Sequence, residues 1–267
     1  MKLIFQGHDY RYAVEQSLLA FFPNERPVYD GEEDPNTAHV TLTQADRLAT
    51  AVTELSMDGK QASGESSLDI SGAKDDYERE RLLQRVVKLS FFEAARTLTG
   101  VTPAWGALTG IRPAKMVATI MEEGHSAEET DRILRDTYFV SEPRRRLAIE
   151  CAKAGLDAQR DLAPNDISLY LGIPFCPTRC AYCSFVSNSV EKSFHLVEPY
   201  LDALFQEIDS AAQLVRDLGL NIKSFYMGGG TPTTLTAEQM SRLLERLNTK
   251  FDLSRVVEYT VEAGRPD

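Results

Sequence analysis

Apolar residues recur along the chain with two different periods, and the points where one gives way to the other mark out the elements. Residues 2–6 are a short apolar run that predicts a strand, and residues 11–22 place Ala13, Leu18 and Phe21 at helical spacings until Pro23 ends them. Residues 23–36, rich in Pro, Glu, Asp and Gly, read as a solvated loop. Period-two alternation over residues 39–43 and 48–57 predicts two strands, Asp58-Gly59 supplies a hairpin turn, and residues 64–72 give a weakly specified third strand. Behind Asp75 and Asp76, Leu82, Val86, Leu89 and Phe92 return every three or four positions, which predicts a long amphipathic helix over residues 77–98. Pro113 suits the first turn of a helix running to Glu123. Ser126, with Glu129 three residues on, and Ser141, with Pro143 just inside, read as N-caps of two more.

Residues 161–166, with Pro164 and Asn165, interrupt this pattern and predict a domain boundary. Residues 1–163 are expected to be a small α+β domain ending in helices. Beyond it, strands at residues 167–173, 222–227 and 255–263 alternate with helices at 199–218 and 237–248. That order predicts parallel strands joined by crossover helices, an α/β arrangement over residues 164–267. Three strands fall short of a closed (β/α) barrel, which takes roughly 200–250 residues. The expectation is therefore the N-terminal part of a barrel, truncated, with an unpaired edge on its last strand.

Composition narrows the function without naming it. The chain has 267 residues, 43% hydrophobic and 26% charged, an ordinary globular balance. A formal net charge of −11 opposes binding to nucleic acid. Apolar runs such as residues 18–22 are far shorter than the roughly 20 residues a membrane span needs. Residues 1–9 turn polar too early for a signal peptide, so a cytoplasmic protein with reduced thiols is expected.

The chemistry concentrates after the first parallel strand, where Cys176, Cys180 and Cys183 are spaced CxxxCxxC. Three soft sulfur ligands in a reducing compartment suit an iron–sulfur cluster or zinc. A structural zinc site wants a fourth Cys or His nearby, and His195 stands a dozen residues further on. Gly228, Gly229, Gly230 and Thr231 follow the second strand, where a ligand can approach backbone closely; with no Gly-Lys-Ser/Thr after them, they are not a P-loop. Glu262 closes the third strand, with its carboxylate expected at the same edge or in an ion pair with Arg265.

The segment from Tyr170 through Ile173-Pro174-Phe175-Cys176 to Cys180-Ala181-Tyr182-Cys183 resembles the radical S-adenosylmethionine superfamily, in its oxygen-independent coproporphyrinogen III oxidase-like branch. With Gly110-Ile111-Arg112-Pro113 and the N-terminal domain, it is most similar to the HemZ-type coproporphyrinogen dehydrogenases, firmly over residues 168–267. The resemblance implies that Cys176, Cys180 and Cys183 hold three irons of a [4Fe–4S] cluster and that S-adenosylmethionine chelates the fourth. An electron from the cluster then cleaves the sulfonium, and the 5′-deoxyadenosyl radical takes hydrogen from a propionate of coproporphyrinogen III, which loses carbon dioxide to become a vinyl group. It further implies that Gly229 and Glu262 contact S-adenosylmethionine, with Gly230 and Thr231 close to a second ligand site. Tyr170 would touch the same ligand through its phenol, and Tyr182 would shield the cluster or line the pocket. A tetrapyrrole substrate and a flavodoxin- or ferredoxin-type electron donor follow as partners.

One departure divides the implied functions. Characterised oxidases of this type carry a further cysteine two residues after the third ligand, whereas Ser184 and Phe185 follow Cys183 here. A phenylalanine there is shared with relatives that bind heme and pass it on without decarboxylation. The long N-terminal domain favours the HemZ-type reading, because those trafficking relatives begin almost at once with the cysteine loop. Elsewhere, Cys151 is expected buried on a stripe with Leu147 and Ala154, His8, His39 and His125 as packing or surface residues, and His195 as a helix cap. Arg112 and Lys115 are read either as solvated bases at a helix start or as ligands for substrate carboxylates.

Overall fold

The structure, a computed structural model, describes residues 1–29, 34–110, 112–178, 180–185 and 187–263. Ile111, Arg179 and Arg265, the last read as an alternative partner of Glu262, lie outside the described residues. The chain divides into two compact units, Met1–Arg160 and Asp161–Asp267.

The first unit runs β1 (Lys2–Gln6), α1 (Arg11–Phe21), β2 (Thr37–Ala45), β3 (Leu48–Met57), β4 (Lys60–Asp69), α2 (Asp76–Thr99), α3 (Pro113–Glu122), α4 (Ala127–Asp136) and α5 (Glu142–Arg160). Its sheet has the order β1-β2-β3-β4, with β1 parallel to β2 and the other pairs antiparallel. Alternate residues Ala38, Val40 and Leu42 of β2 and Ala49, Ala51 and Leu55 of β3 pack on Val14 and Leu18 of α1 and on Leu83, Val86, Val87 and Phe91 of α2. Asp58 and Gly59, both at positive φ, turn the chain directly from β3 into β4. That strand accordingly opens at Lys60 rather than at residue 64, through a polar stretch with no apolar alternation to announce it. Asp75 caps α2 by accepting from the Glu78 N–H, and Ser126 with Glu129 forms the expected capping box on α4. The Ser141 hydroxyl instead donates to the Ala104 carbonyl at 2.8 Å.

A separate small core joins α3, α4 and α5 through Val117, Leu134, Val140, Ala148, Ile149 and Ala152. This phase corrects the expectation for Cys151. The buried stripe of α5 passes through 148, 149 and 152, so Cys151 and Leu147 face solvent. Arg112 and Lys115 are exposed at the start of α3.

The second unit runs β5 (Asp166–Ile173), β6 (Phe175–Cys176), β7 (Asn188–Ser189), α6 (Val190–Ser193), α7 (Val197–Asp217), β8 (Asn221–Gly229), α8 (Ala237–Lys250) and β9 (Glu258–Val261). The strands β5, β8 and β9 lie in that order and are all parallel. Leu171, Ile173, Phe225 and Met227 on one face of this sheet pack against Val197, Leu201, Leu204 and Ile208 of α7 and Leu243 and Leu247 of α8. Both crossover helices therefore cover the same face. Residues of opposite parity, Tyr170 and Gly172 in β5 and Tyr226 and Gly228 in β8, occupy the other face. The last strand is shorter than the expected 255–263, because Val256 N–H bonds to Leu253 O in a turn and pairing resumes only at Val257 N–H to Lys223 O.

This division of faces predicts unequal costs. Truncating the fully buried Leu201 to alanine should destabilise the protein by about 2–5 kcal/mol in chemical denaturation. Tyr170→Ala, at a residue 61% exposed, should cost less than about 1 kcal/mol. Equal losses would mean that the faces are assigned wrongly.

Candidate functional site

Because β5, β8 and β9 are parallel neighbours, their C-terminal ends deliver three segments to one edge. Gly172 is paired with Gly228, Ile173 with Gly229 and Met227 with Val261, and the Glu262 N–H donates to Met227 O at 2.9 Å. The cysteine loop, the glycine run and the strand-end glutamate thus leave the sheet side by side, at the end where parallel α/β sheets place their ligands.

The base of the cysteine loop is closed by backbone. Phe175 and Cys176 pair in parallel with Asn188 and Ser189, and the Asn188 N–H donates to Pro174 O at 2.8 Å. From the neighbouring strand, Gly230 N–H donates to Ile173 O at 2.7 Å and Thr231 N–H to Phe175 O at 2.8 Å. Glycine is required for this approach. A Cβ on Gly230 would stand 2.6 Å from Phe175 O and 3.0 Å from Cys176 Sγ, and Gly229 adopts a φ of 105°. The buried Thr231 hydroxyl donates to Cys176 Sγ at 3.6 Å. On the helix side, the Tyr200 phenol donates to Gly172 O and its ring meets Phe175 edge-on at 5.5 Å. Burial pushes the Tyr200 phenol above its ordinary pKa, so it stays a donor.

Cys176 is therefore a fixed, buried thiol, while Cys180 and Cys183 are half-buried further along the loop, joined by a turn in which Cys183 N–H donates to Cys180 O at 3.0 Å. Among the described residues, no group of three or more His, Cys, Asp or Glu is gathered closely enough to hold a metal ion. The loop carries the three sulfur donors without presenting a closed ligand set. The donor chemistry suits iron–sulfur binding, and the glycine cradle behind Cys176 leaves no space for a side chain there.

On the uncovered face, Tyr170 stacks on Tyr226 with ring centroids 5.9 Å apart and planes 11° from parallel. The Tyr226 phenol donates to Glu262 Oε1, which holds that phenol above its ordinary pKa. Tyr226 was not singled out by the sequence; the available signal was its place two residues before Gly228 on the same side of the strand. Tyr182 is 89% exposed and Phe185 70% exposed on the cysteine loop. His195 is exposed in a short 3-10 turn before α7 and does not cap that helix, whose N-cap position is Leu196. No helix among those residues is long and apolar enough to cross a membrane.

No family model matches the chain. It is 31% identical over 274 aligned residues to the oxygen-independent coproporphyrinogen-III oxidase-like protein HemZ of Bacillus subtilis, an alignment covering 100% of this chain and 54% of that protein. Over 98 residues it is 34% identical to the heme chaperone HemW of Buchnera aphidicola, covering 37% of this chain and 25% of that one. The solved coproporphyrinogen III oxidase HemN of Escherichia coli, described as a radical SAM enzyme, matches 42% of this chain and 25% of its own at 34% identity, with a TM-score of 0.33. On its 31% identity to the HemZ protein along its whole length, the chain belongs to the radical S-adenosylmethionine superfamily. Within it, the chain belongs to the oxygen-independent coproporphyrinogen III oxidase-like branch. It spans about half the length of the HemZ protein that it matches along its whole sequence.

The backbone seat of Cys176 predicts uneven thiol reactivity in the metal-free chain. Alkylation read by mass spectrometry should modify exposed Cys151 at least about tenfold faster than Cys176, and Gly230→Ala should close that gap by displacing the Cys176 segment. Comparable rates in the parent protein would contradict the seat.

Proposed function

We propose that this chain is part of a radical S-adenosylmethionine enzyme that decarboxylates the propionates of coproporphyrinogen III to vinyl groups without oxygen, in porphyrin and heme biosynthesis. The observation that carries the proposal is the seating of Cys176 against Gly230 and Thr231 at the edge where Glu262 also emerges. In this reading the parallel sheet is part of a (β/α) barrel whose outer layer is α7 and α8 and whose inner face carries Tyr170 and Tyr226. Residues 1–163 form an accompanying α+β domain.

Cys176, Cys180 and Cys183 would ligate a [4Fe–4S] cluster, and Tyr170, Tyr182, Gly229, Gly230, Thr231 and Glu262 would hold S-adenosylmethionine. When bound, the cluster supplies the electron that cleaves the sulfonium. The chain's own residues bind and orient. Thr231 donates its hydroxyl toward the Cys176 sulfur and fixes the direction of that side chain. Glu262 offers an acceptor for ammonium or hydroxyl groups of the ligand, and Tyr170 offers an aromatic face beside it. A flavodoxin- or ferredoxin-type protein would deliver the electron, in the cytoplasm, where thiols stay reduced.

A second reading, heme binding and transfer without decarboxylation, is favoured by Phe185, which stands exposed where characterised oxidases carry a cysteine, and by the likeness to a heme chaperone.

Anaerobic reconstitution should give a brown protein with about four irons and four sulfides per chain, lost in Cys176→Ser. Supplied with reductant, S-adenosylmethionine, coproporphyrinogen III and a one-electron acceptor to take the electron that each substrate radical releases as it loses carbon dioxide, the full-length protein should form protoporphyrinogen. Tight heme binding without turnover would establish the second reading, and a colourless protein holding zinc would overturn both.

A further inference from the structure

We propose that Tyr226 is a positioning residue for S-adenosylmethionine: its phenol fixes the Glu262 carboxylate while its ring supports Tyr170. This rests on the radical S-adenosylmethionine reading above and adds to it a role for the residue that leads into the glycine run, to which the sequence assigned none.

Tyr170 and Tyr226 lie in one row across the uncovered face of the sheet, and Glu262 emerges two residues beyond the third member of that row. Tyr170, Tyr226 and Thr260 are register partners in β5, β8 and β9, and Gly172 and Gly228 are partners one step nearer the strand ends. Both tyrosine rings lean over those glycines. A Cβ on Gly172 would lie 3.5 Å from Tyr170 Cε1, and one on Gly228 would lie 2.9 Å from Tyr226 Cε1. The tyrosines are thus tipped toward the edge where the cysteine loop emerges, and they stack with planes 11° apart.

Glu262 needs such a support. It lies just past the end of a four-residue strand and is exposed, so its side chain has several staggered rotamers open to it. The Tyr226 phenol selects one of them by donating to Oε1. The other oxygen, Oε2, lies over Gly228, 3.1 Å from where a Cβ would stand. One carboxylate oxygen is therefore committed to the protein and the other is directed toward the strand ends. Glu258, on the same strand, accepts from the Thr260 hydroxyl at 3.1 Å and so has its own local donor. Tyr226 acts on the ligand through Glu262 and Tyr170, which distinguishes it from a residue that contacts the ligand itself.

The experiment measures S-adenosylmethionine affinity of the anaerobically reconstituted full chain by equilibrium dialysis, with the electron paramagnetic resonance spectrum of the reduced cluster as a second readout. Tyr226→Phe keeps the ring and removes the donor. It should retain the iron content and the spectrum without ligand, weaken S-adenosylmethionine about fivefold, and diminish the spectral change on adding it. Glu262→Gln should also weaken binding, and the double variant should bind no worse than Glu262→Gln alone, because both substitutions break one linkage. Parent-like affinity in Tyr226→Phe, or penalties that add in the double variant, would overturn the positioning role. A parent protein that takes up the cluster yet binds no S-adenosylmethionine would overturn the underlying reading instead, before any substitution is compared.

Discussion

Contact between two backbones sets the terms for the rest of the second unit. Gly230 lies so close to the segment after β5 that no side chain fits between them, and two N–H donors from the glycine run bond directly to Ile173 and Phe175 carbonyls. That contact places Cys176 on the sheet edge rather than on a mobile loop. The Thr231 hydroxyl and the Tyr200 phenol brace the same few residues from either side. Strand ends built in this way fix Cys176, the first of the three proposed cluster ligands, through backbone contacts, while the turn bearing Cys180 and Cys183 remains half-buried beyond it.

Layering explains why the opposite face is available for chemistry. The sheet buries Leu171, Ile173, Phe225 and Met227 under two helices, so the hydrophobic stabilisation of this unit comes from one side. Residues of the other parity are freed from core packing. Toward the strand ends they include two tyrosines, two glycines and, last, a glutamate, a set that offers aromatic faces, close approach and a hydrogen-bond acceptor together. A sheet with helices on both faces could not present that row.

The sequence made local features legible and left non-local ones hidden. The spacing of Cys176, Cys180 and Cys183, the glycine run and the alternation of the first two parallel strands are patterns within a few residues, and the resemblance built on them identified the branch. Tyr226 was invisible because its partner, Glu262, becomes its neighbour only through the register of β8 against β9. The pairing of Phe175–Cys176 with Asn188–Ser189 escaped notice since two residues cannot carry a period. The start of β4 was missed because its covered positions there, Ala62, Gly64 and Ser66, are small or polar and give no apolar alternation to mark it. Cys151 was misplaced by reading its stripe one position out of phase, an error that only the packing of α5 could correct.

The central claim is that three cysteines leave one iron of a cubane open to a small-molecule ligand. Mössbauer spectroscopy of the chain reconstituted with iron-57 measures this directly. The account predicts that adding S-adenosylmethionine shifts the signal of about one quarter of the iron and leaves the remainder unchanged. A spectrum indifferent to that addition, with every iron equivalent before and after, would contradict it.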